Sequence, residues 1–219
     1  MFSFRSVFSI LVFNSYILVG LLLITIFIVP FFPVEWHSIL YRLFYSIIFF
    51  VSALSLKRAR KLMLYAAMGS FSVMWLSDLL HLPLLESISQ LVVVLFFIII
   101  VLKLLIQIAG SKKVDSTVIL DSISGYLLMG VLFTFLSVFI NHMYPSAFYF
   151  PGEGNHNISD LMYFSFVTLT TLGYGDILPI LPQARSLALL ISVSGQLYLT
   201  IVIAVLVGKF LVLKTDSAN

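Results

Sequence analysis

Apolar residues in this chain gather in long blocks with almost no alternation, so the pattern predicts helices and no sheet. Six blocks, roughly 7–29, 35–56, 62–82, 86–110, 117–142 and 185–211, reach the length of about 20 residues that a helix needs to cross hydrocarbon. A seventh, "SDLMYFSFVTLTT" at 159–171, is too short to span. Its length suits a re-entrant helix that enters and leaves on one side, with Ser159 or Asp160 placed to cap it. The first block follows Arg5 and exceeds the roughly 7–15 apolar residues of a cleaved signal peptide, so it is expected to be retained. Residues 143–158, "MYPSAFYFPGEGNHNI", hold two prolines and two glycines and read as a looped turret. Asn157-Ile158-Ser159 fits a glycosylation sequon, a pattern too short to carry weight.

Composition agrees with the pattern. Hydrophobic residues make up 61% of the 219 and charged residues 10%, against roughly 45–50% and 25% in soluble domains. The net charge is +3, with no basic run outside the loops, which argues against a nucleic-acid partner. There is no cysteine, hence no disulfide framework and no thiol chemistry. What the basic residues do report is sidedness. Arg5, the group Lys57, Arg58, Arg60 and Lys61, the pair Lys112 and Lys113, and Lys209 with Lys214 all fall on one side. Glu35, Asp78, Glu86, Glu153, Asp160 and Asp176 fall on the other, with Arg185 the one basic residue among them. By the positive-inside rule both termini are expected in the cytoplasm of a multi-pass protein of the cell membrane.

Against this background "TLTTLGYGDILP", residues 168–179, is out of place. Glycine costs roughly 1 kcal/mol in a helix interior, so the stretch is not built as a helix. Non-helical backbone at membrane depth is tolerated only where protein buries it or where it lines a water-filled cavity, which points to a pore. Carbonyl oxygens can replace the hydration shell of a cation if their peptide planes face one axis, and glycines at alternate positions permit that geometry. Gly173 and Gly175 supply the freedom, Tyr174 packs outward as a spacer, and the Thr171 hydroxyl adds an inner oxygen. Asp176 places negative charge at the outer mouth.

On these residues the chain resembles the tetrameric potassium-channel family, whose signature is a short pore helix followed by T-V-G-Y-G-D; Leu172 stands in place of the usual valine. The resemblance covers about 117–211. It implies potassium sites made by the carbonyls of Thr171, Leu172, Gly173 and Tyr174 with the Thr171 hydroxyl, and Gly175 as the point where the chain turns outward. One chain carries one such segment and a ring needs four, so a homotetramer is implied. Tyr163 and Phe164 occupy positions where relatives carry an aromatic cuff; Tyr163 is placed either to hydrogen-bond Asp176 or to fill a packing gap. Val167 stands where some relatives have a glutamate paired with the filter aspartate, so that pairing is absent.

In the last helix Gly195 lies nineteen residues after Asp176, the offset of a hinge glycine in many relatives, and equally a site for close helix contact. Leu199, Ile203 and Val207 recur every four residues and are expected to face the axis as an apolar gate. The fourth helix lacks the arginines of a voltage sensor and carries only Lys103 near its basic end. One charge per subunit moving through the whole field yields at most about 9 kcal/mol per 100 mV over four subunits, so little intrinsic voltage gating is expected. Arg42, Lys103 and Asp121 lie within helices, where such charges mark function or pairing unless, this near the interfaces, they snorkel in a structural role, and His37, Asp78 and His81 are expected in solvated or loop-pairing roles.

The expectation is therefore an all-α membrane protein of six transmembrane helices plus a re-entrant pore helix and a selectivity-filter loop. It divides into a four-helix sensor-like unit, 1–111, and a pore domain, 112–219. The expected function is passive potassium conduction, with no enzymatic chemistry, no cofactor beyond the permeant ion, membrane lipids as surroundings and no soluble regulatory domain. The alternatives are a non-selective cation channel and a potassium-translocating subunit of an active transporter. The short "GSKKVDST" link favours each four-helix unit lying beside its own pore domain.

Overall fold

The computed structural model describes residues 4–80, 82–111, 114–152 and 157–216. Its helices are α1 (Phe4–Leu23), α2 (Val34–Ser55), α3 (Arg60–Leu80), α4 (Pro83–Ala109), α5 (Ser116–Met143), α6 (Ile158–Leu169) and α7 (Pro182–Asp216). Six segments are long and apolar enough to cross a membrane, and α6 is the one shorter apolar helix among the described residues. α1 continues into a π-turn, Ile24–Ile28, and a 3-10 turn, Val29–Phe31. Pro30 has no N–H and cannot continue an α-helical ladder, which accounts for the irregular end.

The core runs through both halves of the chain. Tyr45 of α2 meets Phe135 of α5 edge-on at 4.8 Å, Phe97 of α4 stacks on the same Phe135 at 5.6 Å, and Phe49 of α2 sits 5.0 Å from Phe96. Offset and edge-to-face aromatic pairs of this kind add about 0.5–1.5 kcal/mol each beyond area burial. α1, α2 and α4 therefore pack against α5 of their own chain. Large apolar side chains turned outward, such as Phe13, Phe27, Leu95 and Leu102, are the complement of this core and face lipid in a membrane protein.

Two of the charged residues inside the helices, Arg42 and Asp121, have partners on other helices. Arg42 of α2 forms an ion pair with Asp78 of α3 and lies over the Trp75 ring. Asp121 of α5 is 1% exposed and accepts from Ser15 of α1 at 2.8 Å and from Gln107 of α4 at 2.7 Å, tying three helices together. Of the readings open for Arg42 and Asp121, pairing is the one observed, and it follows from the cost of an unpaired charge in hydrocarbon. His37 is buried at 5% exposure, with Nε2 on the Phe32 carbonyl of the α1–α2 connection at 2.8 Å, the loop-pairing role of the two expected for it. Lys112, Lys113, His81 and Glu153 lie outside the described residues.

A two-stranded ribbon that the apolar pattern does not suggest, β1 (Phe148–Tyr149) with β2 (Leu178–Pro179), joins the turret to the segment after the glycine-rich loop. The Ile180 amide donates to the Ala147 carbonyl beside it at 2.8 Å. Two bonded strands are worth little alone. Here they fix where the loop leaves the membrane.

Candidate ion pathway

The pathway is built outward from α6. Its N-cap is Asn157, whose Oδ1 accepts from the Ser159 amide at 2.7 Å, while Asp160 reaches back to the Asn157 amide at 3.0 Å. This is a capping box, and it replaces the Ser159 or Asp160 cap expected from sequence. The signal was present as Asn-x-x-Asp, beginning two residues before Ser159. The Asn157 amide nitrogen also approaches His37 Nδ1 at 3.5 Å, connecting the pore-helix start to α2.

α6 ends at Leu169 with Thr170 as its C-cap, and the loop is bound to its last turn. The Thr171 amide donates to the Thr168 carbonyl at 3.0 Å, and the Val167 carbonyl accepts from both Leu172 at 3.0 Å and Gly173 at 3.2 Å. Val167 thus anchors the loop through its backbone, a role its side chain did not advertise.

Beyond this anchor the backbone adopts φ of +60° at Thr171, +57° at Gly173 and +77° at Gly175. Left-handed residues at every second position reverse the usual alternation of peptide planes, the condition for successive carbonyls to share one side. Glycine enters this region freely; Thr171 enters it at a cost of about 1–2 kcal/mol. Its hydroxyl accepts from Gln196 Nε2 of α7 at 3.4 Å, a contact sequence reasoning missed. Leu172 and Tyr174 are 56% and 67% exposed in the single chain.

At the outer end Tyr163 Oη donates to Asp176 Oδ2 at 2.7 Å, and the Ile177 amide donates to Oδ1 at 3.0 Å. The Tyr163 bond holds the Asp176 carboxyl below the usual carboxylate range, and the same bond pushes the Tyr163 hydroxyl up to about 12. Asp176 therefore carries its charge throughout the neutral range.

Behind the loop, α7 approaches so closely that a Cβ on Gly195 would stand 2.1 Å from the Leu169 carbonyl oxygen. Of the two readings of this glycine, close contact has a direct geometric reason. Leu199, Ile203 and Val207 lie below it on one face of α7, exposed in the single chain at 38%, 57% and 51%. At the basic end, Lys209 Nζ donates to the carbonyls of Ile108 at 2.7 Å and Ala109 at 2.9 Å and approaches Ser111 Oγ at 3.1 Å. All three ammonium protons are used to cap α4, where the helix dipole also favours a cation. From sequence, Lys209 was only a marker of sidedness.

A family model described as an ion channel matches residues 122–212, from the second turn of α5 through nearly all of α7. Residues 122–212 are thus similar to an ion-channel domain. The potassium voltage-gated channel subfamily A member 5 of Rattus norvegicus is similar over 87 residues at 32% identity, as are the same proteins of Mus musculus and Homo sapiens. The aligned part is 37% of this chain and 14% of each relative's length. No solved structure matches the chain. These likenesses point to the potassium-channel family and to a channel, not an enzyme.

Proposed function

We propose that the chain forms a homotetrameric, potassium-selective channel whose filter is Thr171–Gly175, conducting passively through the cell membrane with both termini in the cytoplasm. The observation that carries this reading is the left-handed backbone at Thr171, Gly173 and Gly175, held to the C-terminal end of α6 within the residues similar to an ion-channel domain. The C-terminal dipole of α6 favours a cation at that end. Carbonyls of Thr171 to Tyr174 and the Thr171 hydroxyl would take the place of water around the ion, and the outward-facing Leu172 and Tyr174 would be covered by a neighbouring subunit. Asp176 would concentrate cations at the mouth, and Leu199, Ile203 and Val207 would line the inner path.

The first four helices, three of them packed against α5, lack the charge to sense voltage. α4 carries Glu86 and Lys103 and no arginine, so one cation per subunit yields at most about 9 kcal/mol per 100 mV for the tetramer. The Lys209 cap on α4 is the route by which movement of those helices would reach the pore-lining helix.

Single-channel recording in planar bilayers under opposed potassium and sodium gradients tests the whole reading. The expected reversal potential follows potassium, with a shallow voltage dependence. A reversal at the sodium equilibrium value, or flux against the potassium gradient, overturns it.

A further inference from the structure

At the basic end of the bundle a cavity of about 580 Å³ opens between the α2–α3 turn and the last turns of α4. Lys57, Arg58 and Lys103 line it, with Leu56, Ile106 and Gln107, and no carboxylate is among its lining residues. Among the described residues neither Arg58 nor Lys103 has an ion-pair partner; Lys57 is engaged electrostatically by Asp121. Two helices end here, and free carbonyls at those ends would be the natural partners for these cations. Three of them are already taken. Ser55 O accepts from Gln107, and Ile108 O and Ala109 O accept from Lys209.

The cavity continues into an apolar track. Leu95, Ile99, Leu102 and Ile106 lie at three- and four-residue spacing along one face of α4, with exposures of 56%, 41%, 53% and 66%, and the track ends at the cavity. A cationic pocket at a membrane interface, with a lipid-facing stripe running from it, fits an amphiphile with an anionic head and an apolar tail.

We propose that this cavity binds the phosphate group of an anionic lipid, its head held by Arg58 and Lys103 and its chain laid along Leu102 and Ile106. The volume exceeds what one phosphate fills and falls within the roughly 300–1,000 Å³ of ligand pockets. Because Gly110 and Ser111 line the same cavity and Ser111 also contacts Lys209, a bound lipid touches the joint between α4 and the pore-lining helix. The binding claim rests on the membrane reading of the chain and not on potassium conduction.

Native mass spectrometry of the purified full-length protein in detergent, titrated with phosphatidylglycerol or phosphatidylcholine, tests it. Phosphatidylglycerol retention is expected to fall about tenfold or more in the Arg58→Gln/Lys103→Gln variant, since each cation near a lipid headgroup contributes about 1 kcal/mol. The charge-keeping Arg58→Lys/Lys103→Arg variant and the remote Arg185→Gln variant should retain it as the unaltered protein does, and phosphatidylcholine should bind all four alike. Equal phosphatidylglycerol retention with and without the two charges, or an equal loss in Arg185→Gln, overturns the proposal. Displacement of the lipid by millimolar inorganic phosphate would overturn the lipid as the ligand in favour of the free anion. A protein that fails to conduct potassium yet shows this lipid pattern would sink the conduction reading alone.

Discussion

In Ser116–Asp216 the decisive contacts run through the backbone: Val167 O receives two loop amides, Gly195 leaves room for the Leu169 carbonyl, and left-handed φ recurs at Thr171, Gly173 and Gly175. Within Phe4–Ala109 and from it to α5 they run between side chains: Arg42 with Asp78, Ser15 and Gln107 with Asp121, Tyr45 and Phe97 with Phe135. The difference explains why the ion-channel match covers 122–212 and leaves the first four helices out. Backbone geometry demands particular residues at fixed spacing, glycine above all, and so leaves a pattern in sequence. Side-chain pairing between helices is satisfied by many residue choices as long as each polar group finds a partner.

If backbone contact governs the pore half, the largest effect should come from Gly195→Ala. The added methyl would strike a backbone oxygen at 2.1 Å, which no side-chain rotation relieves. Overpacking costs about 1–3 kcal/mol and occasionally more, and this contact belongs at or above the upper end. Thermal melting of the purified assembly should fall by several degrees, with loss of selective conduction. An unchanged melt with unchanged selectivity would remove Gly195 from the account.

Asp121→Ala probes the side-chain contacts that tie α1 and α4 to α5. It leaves Ser15 and Gln107 without their acceptor in a buried site, at a cost of about 1–3 kcal/mol. Denaturation should register that loss while the reversal potential stays put. A shift in ion selectivity instead would show that the two halves are not separable in this way.

Lys209→Met removes the cap between them and retains the apolar stem. Hydrogen bonds from a charged group are worth about 1.5–3 kcal/mol, part of which water would replace at this half-buried position. The expected readout is a changed open probability at constant single-channel conductance. Unaltered gating would mean that α4 and α7 do not communicate here.

The smallest effect is Tyr163→Phe. Loss of the donor lets the Asp176 carboxyl rise toward its ordinary value. A depressed carboxyl keeps its charge until pH falls through its lowered pKa, so the stabilising charge is present above the ordinary carboxylate range and is lost only below it. Acid titration of inward current should therefore move to higher pH in the variant, with no change at neutral pH. Coincident titrations would exclude Tyr163 as the cause.

The sequence by itself determined the helices, because hydrocarbon requires long apolar runs and every backbone group satisfied within them. It also determined the loop, because glycine at alternate positions, after a helix too short to span, has few other uses in a membrane. Only the tertiary structure decided the partners. Arg42 and Asp78 stand 36 positions apart, Ser15 and Asp121 106, and Lys209 and Ile108 101. No periodicity connects residues so distant, and each alone reads as an interfacial or solvated charge. The Asn157 cap was within reach of sequence, two residues before Ser159. The left-handed Thr171 was not, since that conformation is imposed on threonine by the helix and loop that hold it.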